Sequence, residues 1–236
     1  MKSRRAASRP QGEKQYRESI QKIKRRGNEQ LGIMGSWAYL NDPKRLAFTL
    51  ARYKFVAKML SGCEHVLEAG CGDAWPTRIV LQEVRKLTAI DLDPIFVEDA
   101  NSRMADPWKF ICMQHDLLEA PVEGEFDGAY GLDVLEHIPA EKEDLFISNL
   151  IAPLREHGTL IIGTPSLQSQ AYASRLSKEG HINCKDQNDL KQLMRGYFHN
   201  VYTFSMNDEV VHTGYHAMSH YNFVLCCGKK RHRGSR

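Results

Sequence analysis

From residue 65 onward, short apolar runs alternate with longer segments whose apolar positions recur every three or four residues. The runs at 65–69, 87–91, 109–113, 126–132 and 158–163 are too short for helices and read as buried strands. Between them, 76–86, 94–104 and 141–152 read as helices, the last with Pro139 just before its start and the second capped by Asp93. Strands alternating with helices of this length imply right-handed βαβ units, and so a parallel sheet covered on both faces. Beyond residue 165 the pattern changes. Two β-rich runs, 198–206 and 221–227, flank a connection, 207–220, that is too polar to be core. Upstream, residues 46, 50, 53, 56, 57 and 60 fall on one face of an amphipathic helix from Lys44 to Leu60, with Asn41-Asp42-Pro43 as its start. Residues 13–30 are helix-forming and strongly charged, with Tyr16, Ile20 and Ile23 as a thin apolar stripe. Leu31-Gly-Ile-Met-Gly-Ser-Trp37 reads as a break between the two.

The first strand runs directly into a glycine pair: His65-Val66-Leu67-Glu68-Ala69-Gly70-Cys71-Gly72-Asp73-Ala74. A side chain at either glycine would keep a ligand from lying against the backbone. Dinucleotide-binding loops want a third glycine, and Trp75 stands in its place, obstructing the close packing that seats a pyrophosphate. Glu68-Ala-Gly70-Cys-Gly72 resembles the first motif of class I S-adenosylmethionine (SAM)-dependent methyltransferases, and SAM has no phosphate to seat. Two further stretches extend the resemblance over roughly 60–165. One is Phe126-Asp127-Gly-Ala-Tyr130-Gly-Leu132-Asp133-Val-Leu-Glu136-His137-Ile-Pro139, similar to small-molecule methyltransferases including the ubiquinone-biosynthesis O-methyltransferases. The other is Leu154-Arg-Glu-His-Gly-Thr-Leu-Ile-Ile-Gly-Thr-Pro165. Base-methylating enzymes carry an Asn/Asp-Pro-Pro-Tyr/Phe motif after this fourth strand; Leu132-Asp-Val-Leu-Glu-His does not match it, so a flipped base is not the expected substrate.

The resemblance implies an α/β, doubly wound, mostly parallel seven-stranded sheet, its last strand antiparallel between two others, with an N-terminal helical lid. In such sheets the ligand sits at the carboxyl ends of the strands. Asp91 closes the second strand 21 residues after Gly70, where a carboxylate can accept both hydroxyls of a ribose. Asp116 follows the third strand, where the family places an acid near the adenine amino group, and Leu117 would cover an adenine face. Glu68, Gly70, Cys71, Gly72, Leu92, Leu132 and His137 complete the expected cofactor set. Asp133, Glu136 and His137 have oxygen and nitrogen donors for a divalent metal, but the expectation is that they orient the loop and contact SAM, with no metal. His181, in a Gly-His pattern found in relatives, is the first candidate base, followed by His212 and His216. The spacing of His212, His216 and His220 would suit zinc on a helix, but Gly214 argues for a loop. A neutral histidine there is suited to take a proton from a hydroxyl as the methyl arrives.

The 236 residues suffice for one domain with a full core, and no apolar run approaches the ~20 residues of a membrane span. No secretory signal follows Met1, and six cysteines without a Cys-x-x-Cys pair read as reduced thiols, which points to a cytoplasmic protein. The net charge of +3 is unevenly spread. Residues 1–26 hold ten Lys/Arg against two Glu, and residues 229–236 hold five Lys/Arg and no acid, so the body between them is acidic. The expected organisation is a basic, disordered N-terminus at 1–12, the lid at 13–60, a SAM-binding catalytic domain at 61–228 and a basic tail at 229–236. The expected activity is methyl transfer to a hydroxyl of a polar small molecule or sugar-like metabolite. A small amine, an RNA, or non-catalytic SAM binding are the alternatives; nucleic acid is not the expected partner, and the sequence leaves the oligomeric state open.

Overall fold

The computed structural model describes residues 12–231; the expected basic N-terminus, save Gly12, and residues 232–236 of the basic tail lie outside them. The chain divides after Leu31. The first unit holds a 3₁₀ turn at Lys14–Tyr16 and helix α1 (Arg17–Arg26), which stops at Gly27 with φ of +90°.

The second unit opens with α2 (Ile33–Asn41) and α3 (Lys44–Met59). It continues through β1 (Val66–Ala69), α4 (Thr77–Leu81), β2 (Leu87–Asp91), α5 (Pro94–Ser102), β3 (Ile111–Gln114), β4 (Phe126–Leu132), α6 (Glu143–Ile151) and β5 (Leu154–Pro165). Then come α7 (Arg175–Gly180), α8 (Gln187–Arg195), β6 (Phe198–Asn207), β7 (Val210–His212) and β8 (Tyr221–Lys229). The strands form one sheet in the order β3-β2-β1-β4-β5-β8-β6-β7. β1 to β5 run parallel, and β8 enters antiparallel between β5 and β6, as expected.

Alternation along the strands builds two cores. Leu67, Ala129, Leu160 and Ile162 face α6 and α8 through Ile147, Leu150, Leu190 and Met194. Val66, Tyr130 and Ile161 face the opposite way, onto Tyr53 and Val56 of α3, Val80 of α4 and Val97 of α5. Strands buried on both faces are apolar throughout, which is why they stood out in the sequence.

Beyond shifts of a few residues at strand ends, three features differ from expectation. The segment 31–37 is not a break but the start of α2, because Asp73 supplies acceptors to its first turn: Met34 N and Gly35 N donate to Asp73 Oδ2 at 2.7 and 3.1 Å. The helix expected over 76–86 is regular only to Leu81; Glu83 N already bonds back three residues to Val80 O. The sheet has eight strands rather than seven. β7 (Val-Val-His) pairs with β6 through a turn at Asp208, φ +50°, and as a three-residue edge strand it is too short to show an alternating pattern.

Candidate functional site

β1 and β4 are adjacent, and the chain leaves them toward opposite sides of the sheet: β2 and β3 lie beyond β1, β5 beyond β4. Above their carboxyl ends is a cavity of about 680 Å³. Gly70, Cys71, Gly72, Asp91, Leu92, Asp116, Leu117, Leu132 and His137 all line it. Gly70 has φ of +68°, and a Cβ there would meet Val134 Cγ2 at 2.2 Å; Gly72 has φ of +53° and open space in front of it. The loop is thus a bare-backbone cradle. Asp91 is held from two sides, Gly72 N donating to its Oδ2 at 2.7 Å and Asp93 N to its Oδ1 at 2.9 Å. Two aligned N–H groups leave the carboxylate lone pairs that face the cavity available to a diol. Asp116 accepts from Leu118 N at 2.7 Å, which orients it at the far end.

Glu68 does not line this cavity. It is 1% exposed, and its carboxylate is taken by Tyr53 and Thr77, whose hydroxyls donate to Oε1 and Oε2, each at 2.7 Å. Burial pushes the Glu68 carboxyl up, and these two hydrogen bonds oppose the shift. Glu68 therefore ties α3 and α4 beneath the glycine loop. The sequence motif marks Glu68 without showing Tyr53 as its partner.

A second cavity, of about 760 Å³, lies toward β5, α7 and β8. Arg52, His181 and Tyr221 line it, whereas Asp133 and His137 line the first. Two pairs therefore stand where the cavities divide. Arg52 Nη1 donates to Asp133 Oδ2 at 2.7 Å, with its guanidinium 3.8 Å from the centre of the Tyr221 ring. The His137 and His181 rings are 5.2 Å apart, edge to face. Asp133 is held at φ +57°, a conformation that non-glycine residues adopt at a cost and that clusters at ligand sites.

The hydrogen bonds fix the histidine tautomers. His137 Nδ1 lies 2.9 Å from Gly180 O, which can only accept, so Nδ1 carries the proton. His181 Nδ1 donates to Gln170 Oε1 at 3.0 Å, the Gln170 amide being oriented by Nε2 donating to Ser166 O and Ser169 Oγ. In the neutral form of either ring, Nε2 is then the nitrogen that carries the lone pair. Burial, with the neighbouring His137, holds His181 below the ordinary imidazole value. Between them lies Glu136, fully buried. Its Oε2 accepts from Thr164 Oγ1 at 3.1 Å and its Oε1 has no hydrogen-bond partner; burial and the nearby Asp133 push its carboxyl up to about 8. One ligand atom from each of Glu136, His137 and His181 lies within 4.8 Å of the other two.

The other proposed bases lie elsewhere. His212 and His216 line neither cavity. His212 has both ring nitrogens engaged, by Asn207 Oδ1 at 2.8 Å and Gly214 N at 2.9 Å. Asn188 Nδ2 lies 3.4 Å from His216 Nε2. His220, by contrast, lines the second cavity. All six cysteines are free thiols. No helix among the described residues is long and apolar enough to cross a membrane.

Residues 66–158 match the profile of a family described as methyltransferase domain. Two Mycobacterium tuberculosis proteins, from strains CDC 1551 / Oshkosh and ATCC 25618 / H37Rv and described as probable S-adenosylmethionine-dependent methyltransferases, are each 29% identical over 102 residues. That match covers 43% of this chain and 35% of each relative, so it spans about a third of the relatives' length. Among solved structures, the methyltransferase domain of a bacterial Hen1 superposes with a TM-score of 0.63 at 17% identity, covering 76% of this chain and 98% of that one. The DhpI–SAH complex gives 0.62 at 15% identity, covering 84% and 92%. The N-methyltransferase NodS of Bradyrhizobium japonicum WM9, in complex with S-adenosyl-L-homocysteine (SAH), gives 0.58 at 17%, covering 90% and 98%. At these identities the structural likeness is one of fold.

Proposed function

We propose that this chain, a class I SAM-dependent methyltransferase by fold and by its cofactor loop, moves the SAM methyl group to a hydroxyl of a polar small molecule or sugar-like metabolite held in the second cavity. The bare backbone at Gly70 and Gly72 and the paired N–H groups behind Asp91 fit SAM: the first admits the amino-acid end, the second aims a carboxylate at a ribose diol. SAM supplies an electrophilic methyl on a sulfonium. Transfer is an in-line displacement, so the chain's task is mostly positioning. The acceptor oxygen forms a bond to the methyl carbon, the carbon–sulfur pair returns to sulfur, and the hydroxyl proton must leave.

The observation that carries the hydroxyl reading is the His181 Nε2 lone pair at the wall of the second cavity, with its Nδ1 proton engaged by Gln170. There it can take the acceptor's proton as the methyl transfers. His181→Ala is expected to lose ~10²-fold or more in turnover while SAM affinity stays near wild type, and to regain rate as pH rises toward the acceptor's own ionisation. Near-normal turnover in that variant would favour a small amine as acceptor, which needs less help with its proton.

A second reading of this corner is favoured by Glu136 Oε1, buried without a hydrogen-bond donor and 4.0 Å from His137 Nε2. With His137 and His181 each presenting a free Nε2, the three side chains would hold a divalent cation, their Nδ1 protons already anchored on oxygen acceptors. Such an ion would supply Lewis acidity to the acceptor hydroxyl. Chelation separates the two. Turnover that survives EDTA leaves the proton to His181 alone; turnover abolished by EDTA and restored by Mg²⁺ or Zn²⁺ makes His181 a ligand.

A further inference from the structure

Cys71 and Cys112 are both free thiols, 41 residues apart in the chain, with their sulfurs 3.9 Å apart. Cys71 stands in the glycine loop and lines the first cavity; Cys112 lies behind it on β3, in the same apolar cluster. Their exposures, 5% and 9%, leave that cavity as the approach to the pair. We propose that Cys71 and Cys112 form a disulfide when a peroxide enters the cavity, and that this bond closes the cofactor site. The proposal rests on the cavity being the SAM site.

The contact itself prepares the pair. The hydrogen bond between the thiols and burial push Cys71 up, while the same hydrogen bond holds Cys112 below the ordinary thiol value, so the two titrate as a unit that gives up one proton. Either sulfur can be the donor in this contact. The favoured thiolate is thus Cys112, and passage of the Cys71 proton across the contact to it places the thiolate on Cys71 at the cavity wall. It attacks the peroxide oxygen, the O–O bond breaks, and the leaving alkoxide or hydroxide takes up the proton released by the pair. The Cys112 sulfur then displaces hydroxide from the Cys71 sulfenic acid, its proton leaving with that hydroxide as water. Two thiols are oxidised and one peroxide is reduced, to water with an alcohol or a second water.

A disulfide bond is about 2.05 Å long, so the sulfurs must approach by nearly half their present separation. β3 is fixed by its register with β2, where Cys112 pairs with Ala89. The loop is what moves. Gly70 N and Cys71 N both donate to Ile90 O, at 2.8 and 3.0 Å, and Gly72 N donates to Asp91. Drawing Cys71 toward β3 disturbs these bonds together, and with them the aim of the Asp91 carboxylate.

The test begins with calorimetric titration of the reduced protein by SAH. Absence of binding there would defeat the assignment of the cavity, whatever the thiols do. Hydrogen peroxide is then added and the digest analysed by mass spectrometry. The expected result is a 71–112 cross-linked peptide, a loss of SAH affinity of roughly tenfold or more that dithiothreitol reverses, and slower cross-linking when SAH is bound first. Cys112→Ser and Cys112→Ala should keep their SAH affinity through peroxide treatment. Absence of the cross-linked peptide, a cross-link with unchanged affinity, or equal loss of affinity in the Cys112 variants overturns the proposal.

Discussion

Glu68 illustrates how much one residue's role depends on partners the sequence does not reveal. Its place in the glycine motif was legible, but its carboxylate faces down, into Tyr53 and Thr77, rather than into the cavity. A buried carboxylate without a donor is costly, so Tyr53→Phe is expected to destabilise the fold by about 1–3 kcal/mol, read from urea denaturation. An unchanged midpoint would mean that Glu68 does not depend on this bond. The histidines teach the same lesson in reverse. Glu136 and His137 were visible as a short acidic loop, and His181 as a lone Gly-His 44 residues on. Only folding brings His181 against His137 and leaves Glu136 Oε1 between them. The sequence weighed a metal on Asp133, Glu136 and His137, whereas in the fold Asp133 is engaged by Arg52.

At the scale of elements, periodicity found the strands of the parallel sheet because they are apolar on both faces. It failed at α2, where Gly35 and the N-cap Gly32 look like helix breakers. They are there for contact: a Cβ on Gly32 would lie 2.2 Å from Asp73 Oδ2, and one on Gly35 would lie 2.8 Å from Trp75 Cδ1. α2 therefore docks on the cofactor loop, with Met34 lining the cavity. Gly35→Ala is expected to lift this helix and weaken SAH binding roughly tenfold with little change in global stability, as seen by calorimetry beside thermal melting. At the start of β4, Asp127 accepts from His65 N at 2.9 Å and from Arg155 Nη1 at 2.6 Å. Burial works against its charge, but these donors outweigh it and hold the carboxyl below its ordinary value. Because the folded value lies below the unfolded one, this stabilisation is present above the ordinary carboxylate range and is lost as pH falls. Urea midpoints measured from about pH 6 to pH 3 should fall less steeply in Asp127→Asn than in the wild type.

For the whole molecule, the alternation of strands and helices foretold the parallel, doubly wound part of the sheet, and the antiparallel entry of its last strand followed from the family resemblance. The eighth strand escaped because β7 is an edge of only three residues inside an otherwise polar connection. The basic ends are the feature that the fold explains least. Removing residues 1–11 and 232–236 is expected to leave turnover on a small acceptor within about twofold. A large loss of acceptor affinity, together with a shallower salt dependence, would point to a nucleic acid instead.

The proposed function requires a SAM-type cofactor across the glycine loop with its ribose on Asp91. Calorimetric titration of SAH into the wild type and into Asp91→Ala tests it most directly. The expected result is one site per chain in the wild type and a loss of ~1.5–3 kcal/mol, roughly 10–150-fold in Kd, in a variant that melts like the wild type. Equal SAH affinity in a folded Asp91→Ala protein, or no binding by the wild type, would contradict it.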